Sequence, residues 1–184
     1  MIFWTVDTRE LDALCRAFSP ESRTRLHHAA ARSVSVLCRR HLRTIGQSRH
    51  ATANRLGAAP TGHFEQAGIT LTAAPDDAHV RLTLPGLVRA FRPLVIRPRR
   101  AKALTLPIAA EAYGKKASEL KRSGWALFQA KGVLMGKSPA GSLRPLYALK
   151  TSVRLRQDRT LLPADERLAE AARKGYLRPK SYRS

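Results

Sequence analysis

Between Ser19 and Gly46 the chain has its longest periodic segment, and any fold must be built around it. Ser19 is a side-chain cap for the first free amides, Pro20 suits the first helical position, and Glu21 sits at the positive end of the dipole. From there Leu26, Ala30, Val34, Leu37, Cys38, His41 and Ile45 recur at helical spacing on one side, while Arg25, Arg32, Arg39 and Arg43 line another. The spacing predicts an amphipathic helix that ends at Gly46, with one apolar stripe and a basic outer face.

The remaining segments read as strands with shorter helices. IFWTV alternates as a short strand. DTRELDALCRAF follows with Asp7 and Glu10 as a capping pair and Leu11, Leu14, Cys15 and Phe18 at helical spacing. Residues 47–62, QSRHATANRLGAAPTG, show no periodicity and are expected as a loop. ITLT and HVRLTL predict a hairpin across APDDA, with Ile69 and Leu71 facing Val80, Leu82 and Leu84. ALTLP predicts a short strand. AAEAYGKKASELKR predicts a helix, although Gly114 inside it costs about 1 kcal/mol. WALFQ and GVLMG predict a second hairpin across Ala130 to Gly132, and LYALKTSV a further strand. PADERLAEAARKGY predicts a closing helix that starts at Pro163 and ends at Gly175. The class is α+β. A chain of 184 residues with 43% hydrophobic side chains suits one domain over 1–177, with 1–21 as its N-terminal strand and short helix, followed by a basic tail at 178–184 expected to be mobile.

Charge bounds the function. A formal net charge of +21 is extreme for such a domain, so an acidic partner must relieve the self-repulsion: nucleic acid, an anionic surface or another subunit. Cys15 and Cys38 have no CxxC spacing, so neither a zinc site nor a disulfide framework is expected, and both fit a core in a reduced cytoplasm. MIFWTV lacks the basic leader of a signal peptide, and no apolar run approaches the roughly 20 residues that span a bilayer, so no membrane is expected. GVLMGKS imitates a phosphate loop through Gly132, Gly136, Lys137 and Ser138, but it is one residue short and SPAG follows where a helix should start.

His27 and His28 splay apart on the helix, His41 lies on its apolar stripe, and His50, His63 and His79 have no cysteine or acid at ligand spacing. The acids are scattered. Asp76 and Asp77 fall in a turn and Glu111 and Glu119 on a helix face, so no carboxylate pair or activated nucleophile is in view. Neither enzymatic activity, metal nor cofactor is expected. The dense signal is cationic: Arg89, Arg92, Arg97, Arg99, Arg100 and Lys102 run without an intervening acid, and Lys115 and Lys116 follow. Such a run suits phosphates or the acids of a neighbouring subunit, and Phe91 alone among them could stack on a base.

The ordered set R-H-A-T-A-N-R-L-G-A from Arg49, T-G-H-F, I-R-P-R-R-A-K-A-L-T-L-P, E-A-Y-G-K-K and Y-A-L-K-T-S-V from Tyr147 resembles small virion morphogenesis proteins of tailed phages and prophages, of the head-to-tail joining and tail-completion (neck) kind. The resemblance covers roughly residues 25 to 175. It implies a long N-terminal helix packed on a mainly antiparallel sheet, and a basic loop at 86–103 projecting to the next protomer of a homo-oligomeric ring. It places Asn54, Leu56, Gly57, His63 and Phe64 in a loop after the helix, and Ile96, Pro98, Ala101, Lys102, Leu104, Thr105 and Pro107 in the loop-to-strand segment, which Tyr113 and Gly114 close. It implies other neck or tail proteins as partners, with packaged DNA as a further contact, and a place in the virion after assembly in the host cytoplasm. Where that family has a glycine pair before I-R-P, this chain has Arg92-Pro93-Leu94-Val95. A sequence-independent DNA-binding protein of a mobile element is the alternative.

Overall fold

A computed structural model describes residues 3–5, 20–76, 79–84 and 86–177. In chain order the first elements are β1 (Phe3–Thr5), α1 (Pro20–Ser48), α2 (Ala51–Leu56), α3 (His63–Thr70), β2 (Thr72–Asp76), β3 (His79–Thr83) and β4 (Leu94–Ile96). They continue as β5 (Leu104–Pro107), α4 (Ala117–Arg122), β6 (Ala126–Ala130), β7 (Val133–Lys137), β8 (Leu143–Lys150), β9 (Val153–Leu155) and α5 (Asp165–Leu177). Single 3-10 turns lie at Val88–Ala90, Ala110–Ala112 and Arg159–Leu161. The class is α+β, and every strand pairing among the described residues is antiparallel. The predicted helix at DTRELDALCRAF, with Cys15, and the tail at 178–184 lie outside the described residues.

The chain forms two compact units, each with its own apolar cluster. The first comprises Met1–Ser48, His63–Arg92 and Gln157–Ser184; the second comprises Arg49–Gly62 and Pro93–Arg156.

In the first unit, α1 runs 29 residues, about 43 Å at 1.5 Å per residue. Its stripe buries Ala30, Val34, Cys38, Leu42 and Ile45, while Arg25, Arg32, Arg39 and Arg43 stay exposed. The stripe packs on β2 and β3 of the sheet β1-β3-β2, and on α3 and α5. Leu71, Val80 and Leu82 come from beside and within the sheet and Leu168, Ala172 and Tyr176 from α5. Each fully buried leucine here, Leu42 among them, contributes about 2 kcal/mol through burial. Cys38 is a core residue as expected, and burial pushes its thiol up to about 12. The Tyr176 ring meets His27 edge-on at 5.7 Å.

Three expectations change in this unit. The long helix continues past Gly46 to Ser48, whose hydroxyl donates to Thr44 O at 2.9 Å, and Gly46 instead marks a close approach to Glu65 of α3. Ile69 and Thr70 belong to α3, not to a strand, and Ile69 is 71% exposed. Only Leu71 of ITLT turns into the core, and the hairpin is set one step later, with Ala73 opposite Leu82. Pro75 is tolerated there because β2 is an edge strand. Gly175 does not end α5. A Cβ on it would stand 2.6 Å from Ala30 Cα and 2.7 Å from Ala29 O, so this glycine is what lets α5 lie directly against the backbone of α1.

The second unit is built on the sheet β5-β8-β7-β6, with β4 and β9 as a separate two-stranded ribbon. The predicted hairpin β6–β7 turns at Lys131 and Gly132, both at positive φ (45° and 78°), a combination that matches the twist of the flanking strands. One sheet face carries the core: Leu127, Leu134 and Tyr147 with Leu146, beneath Ala112, Ala117, Leu120 and Trp125. GVLMGKS is strand β7 and a turn. Gly136 is buried because Leu146 and Trp125 fill the space over it; a Cβ would stand 2.2 Å from Leu146 Cδ1.

Residues 47–62 are not a loop throughout. In α2, Gly57 N donates to Asn54 O at 3.2 Å and Ala58 N to Ala53 O at 2.9 Å, with Gly57 at φ 65°, a left-handed helix stop that needs glycine. AAEAYGKKASELKR is likewise two pieces. After the turn at Ala110–Ala112 the chain extends through Tyr113 and turns left-handed at Gly114 (φ 72°), and α4 then begins anew. Lys116 N donates to Glu119 Oε2 at 3.0 Å to close that new helix start. The glycine that disfavoured one long helix is the residue that divides it.

Candidate polyanion interface

The stretch 86–103, expected as one projecting loop, divides between the two units. Arg89 lies in the 3-10 turn Val88–Ala90, where its guanidinium meets Asp158 at 3.4 Å and its carbonyl accepts from Asp158 N at 2.9 Å. That pairing makes Arg89 part of the first unit's own structure, and Arg92 ends the same segment, exposed. Leu94, Val95 and Ile96 then form β4, opposite Leu155, Arg154 and Val153. What remains irregular is Arg97–Ala103, between β4 and β5.

Register fixes where that loop sits. Ile96 is opposite Val153 and Leu104 is opposite Lys150, so the loop spans the connection from β8 to β9. At the neighbouring strand end, Gly132 O accepts from Leu149 N at 2.8 Å, which brings the Lys131 turn to the same end of the sheet. Arg97, Arg99, Arg100 and Lys102 are thus gathered with Lys131 and Lys150, and all six side chains are exposed. Lys115 and Lys116 are also exposed but stand elsewhere, in the turn over Tyr147 on the side of the sheet that carries α4. Lys131 and Lys150 were not singled out from sequence, since each is isolated among apolar neighbours. The available signal was the Lys-Gly pair at a hairpin tip.

Within the second unit no carboxylate answers this end. The second unit holds sixteen cations and two acids, a net charge of +14, against +7 for the first unit. Both acids are engaged: Glu111 with the Arg144 guanidinium, and Glu119 with the start of α4. Six exposed cations without an acid between them set up a local positive field able to hold several phosphates or carboxylates.

Of the residues placed by the resemblance, Pro98, Ala101 and Lys102 lie within the cationic loop and Ile96 and Leu104 at its borders, while the others stand outside it. Gly57 stops α2, with Asn54 and Leu56 inside that helix. Thr61 Cγ2 packs so close to Gly114 that a Cβ there would be 2.9 Å away. Tyr147 is opposite Pro107 and its hydroxyl donates to Lys115 O at 2.9 Å. Burial, and then the charge of Glu119, holds the Tyr147 phenol above its ordinary range. Pro98, Leu104 and Tyr113 are half-buried. His63 and Phe64 open α3 in the first unit, not a loop, and Phe64 packs against that unit's core.

Among the described residues no three of His, Cys, Asp and Glu gather as metal ligands do, and no helix is long and apolar enough to cross a membrane. His41 Nε2 lies 3.1 Å from Thr160 O. The chain matches no known family model, and no match was found among characterised proteins or solved structures.

Proposed function

We propose that the chain is a non-enzymatic morphogenesis protein of a tailed phage or prophage, acting in neck or tail completion as a subunit of a homo-oligomeric ring. The observation that carries the reading is the acid-free cationic end of the second unit, formed largely by the I-R-P-R-R-A-K-A-L-T-L-P segment, one of the pieces of the ordered set that carries the resemblance. A ring subunit needs a charged contact displayed on a firm support. Here Pro98 stiffens the loop, and β4 and β5 pin its two ends to β9 and β8. The excess charge keeps free subunits apart until a neighbour's acids or packaged DNA neutralise it.

The same six cations favour a second reading, sequence-independent DNA binding, because phosphates meet them without competition from acids on the unit. The first reading places the protein in finished particles. Gradient-purified virions from an induced host should contain the chain, detected by mass spectrometry, at several copies per particle. Virions that lack it, with the protein left in the cytoplasmic fraction on nucleoid DNA, would favour the second reading.

A further inference from the structure

The strand β6 is an edge that no other described element pairs with. It pairs with β7 on one side only, and no hydrogen bond from another described element reaches the backbone of Ala126–Ala130. Edge strands are ordinarily blunted by a charge, a proline or a bulge, because a free row of amides and carbonyls recruits another strand. The opposite edge, β5, is only four residues long and ends in Pro107. ALFQA contains neither charge nor proline, and its pairing with β7 is regular throughout.

The face of the sheet opposite the core continues this edge. Cross-strand register puts Phe128, Met135 and Pro145 in one row, and Ala126, Lys137 and Leu143 in the next. Phe128 is 47% and Leu143 57% exposed, and none of the apolar residues in these rows joins either core cluster. An open apolar face beside an open edge is the arrangement by which sheets take up an extended peptide. The surroundings specify its charge, since Lys131 and Lys137 close the two ends of the hairpin and the unit carries +14 with both acids engaged. That charge disfavours a second copy of this chain. One aromatic among aliphatic side chains is also a poor platform for stacked bases.

We propose that the outer edge of β6 receives an extended acidic segment of a protein partner as an added strand. Its backbone pairs with Ala126–Ala130, alternate apolar side chains lie on the row of Phe128, and its carboxylates meet Lys131 and Lys137. The inference stands independently of the morphogenesis reading, because it uses only the edge, the face and the charge.

The test uses the full chain and a synthetic peptide of about ten residues, alternating valine and threonine with glutamates at both ends. Binding is read by fluorescence anisotropy, and its place by hydrogen exchange of the 126–130 amides. The proposal expects slowed exchange at β6 and affinity reduced roughly tenfold or more in Phe128→Glu, which breaks the apolar row and sets a like charge against the peptide's glutamates. The melting temperature of that variant checks its fold, and Leu143→Glu, on the same face away from the edge, should weaken binding to a smaller extent. Equal binding of a lysine-ended peptide, or of one with proline at alternate positions, would overturn the proposal. So would absence of protection at millimolar peptide. Protection of β6 by an oligothymidylate would assign the edge to nucleic acid, and concentration-dependent protection without peptide would assign it to a second copy.

Discussion

Reversing Arg97, Arg99 and Arg100 to glutamate will leave the protein folded and remove most of its affinity for polyanions. All three side chains are exposed between two paired strands, so the melting temperature should move little. If the six gathered cations each meet a phosphate, the slope of log K against log salt is about −5, and affinity falls roughly a thousandfold between about 50 and 200 mM salt. The reversal removes half of these contacts and adds three repulsive ones, so the slope should shrink to about −2.7 or less in magnitude. Fluorescence anisotropy with a random-sequence duplex measures both quantities. Reversal of Lys115 and Lys116, in the turn over Tyr147, should have the smaller effect. An unchanged slope in the triple variant would mean that DNA meets another surface.

Gly175→Ala will destabilise the first unit although it removes a glycine from a helix. At an open helical site this change contributes about 1 kcal/mol of stability through propensity. Here the new methyl would meet main-chain atoms of Ala29 and Ala30, which cannot rotate away as a side chain can. The two helices would have to separate along a contact that also holds Leu168, Ala172 and Tyr176 against the stripe of α1. Overpacking of this kind costs about 1 to 3 kcal/mol, and the backbone contact puts this site at the upper end, for a net loss of about 2 kcal/mol. For a unit of this size the melting temperature falls by roughly 10 °C. A rise in melting temperature would show that α5 is not seated on α1 in this way.

Much of the architecture was legible because it depends on local pattern. The stripe of α1, the turn at Lys131-Gly132 and the alternation of β6 and β7 follow from side-chain spacing and turn chemistry, which a single sequence displays. The failures share a cause. Gly46 and Gly175 were each read as a helix end, but both are set by what packs over them from another part of the chain. A glycine that makes room for a neighbour and one that makes a turn are identical letters. In contrast, Gly57 and Gly114 do need their positive φ, and both divide segments that had been taken as continuous. The candidate interface was half legible. The run Arg97 to Lys102 could be seen, but strand register alone brings Lys131 and Lys150 to it and carries Lys115 and Lys116 away.

The two units also explain how one chain combines a charged surface with an ordinary core. The first unit, with α1 and α5, supplies the larger apolar cluster and carries eleven of the thirteen acids. The second unit has the smaller cluster and holds two acids against sixteen cations, so most of its positive charge is not balanced within the unit. Its free charge is therefore available for a partner, which is the property that a subunit assembling on a polyanion or an acidic neighbour requires.

The most direct measurement is electron microscopy of particles from a host carrying the element with this gene deleted, beside a strain complemented with the intact gene. The morphogenesis account predicts full heads and separate tails, or tails left unfinished, and joined virions on complementation. Normal, infectious particles in the deletion strain would contradict it and leave DNA binding as the function to pursue.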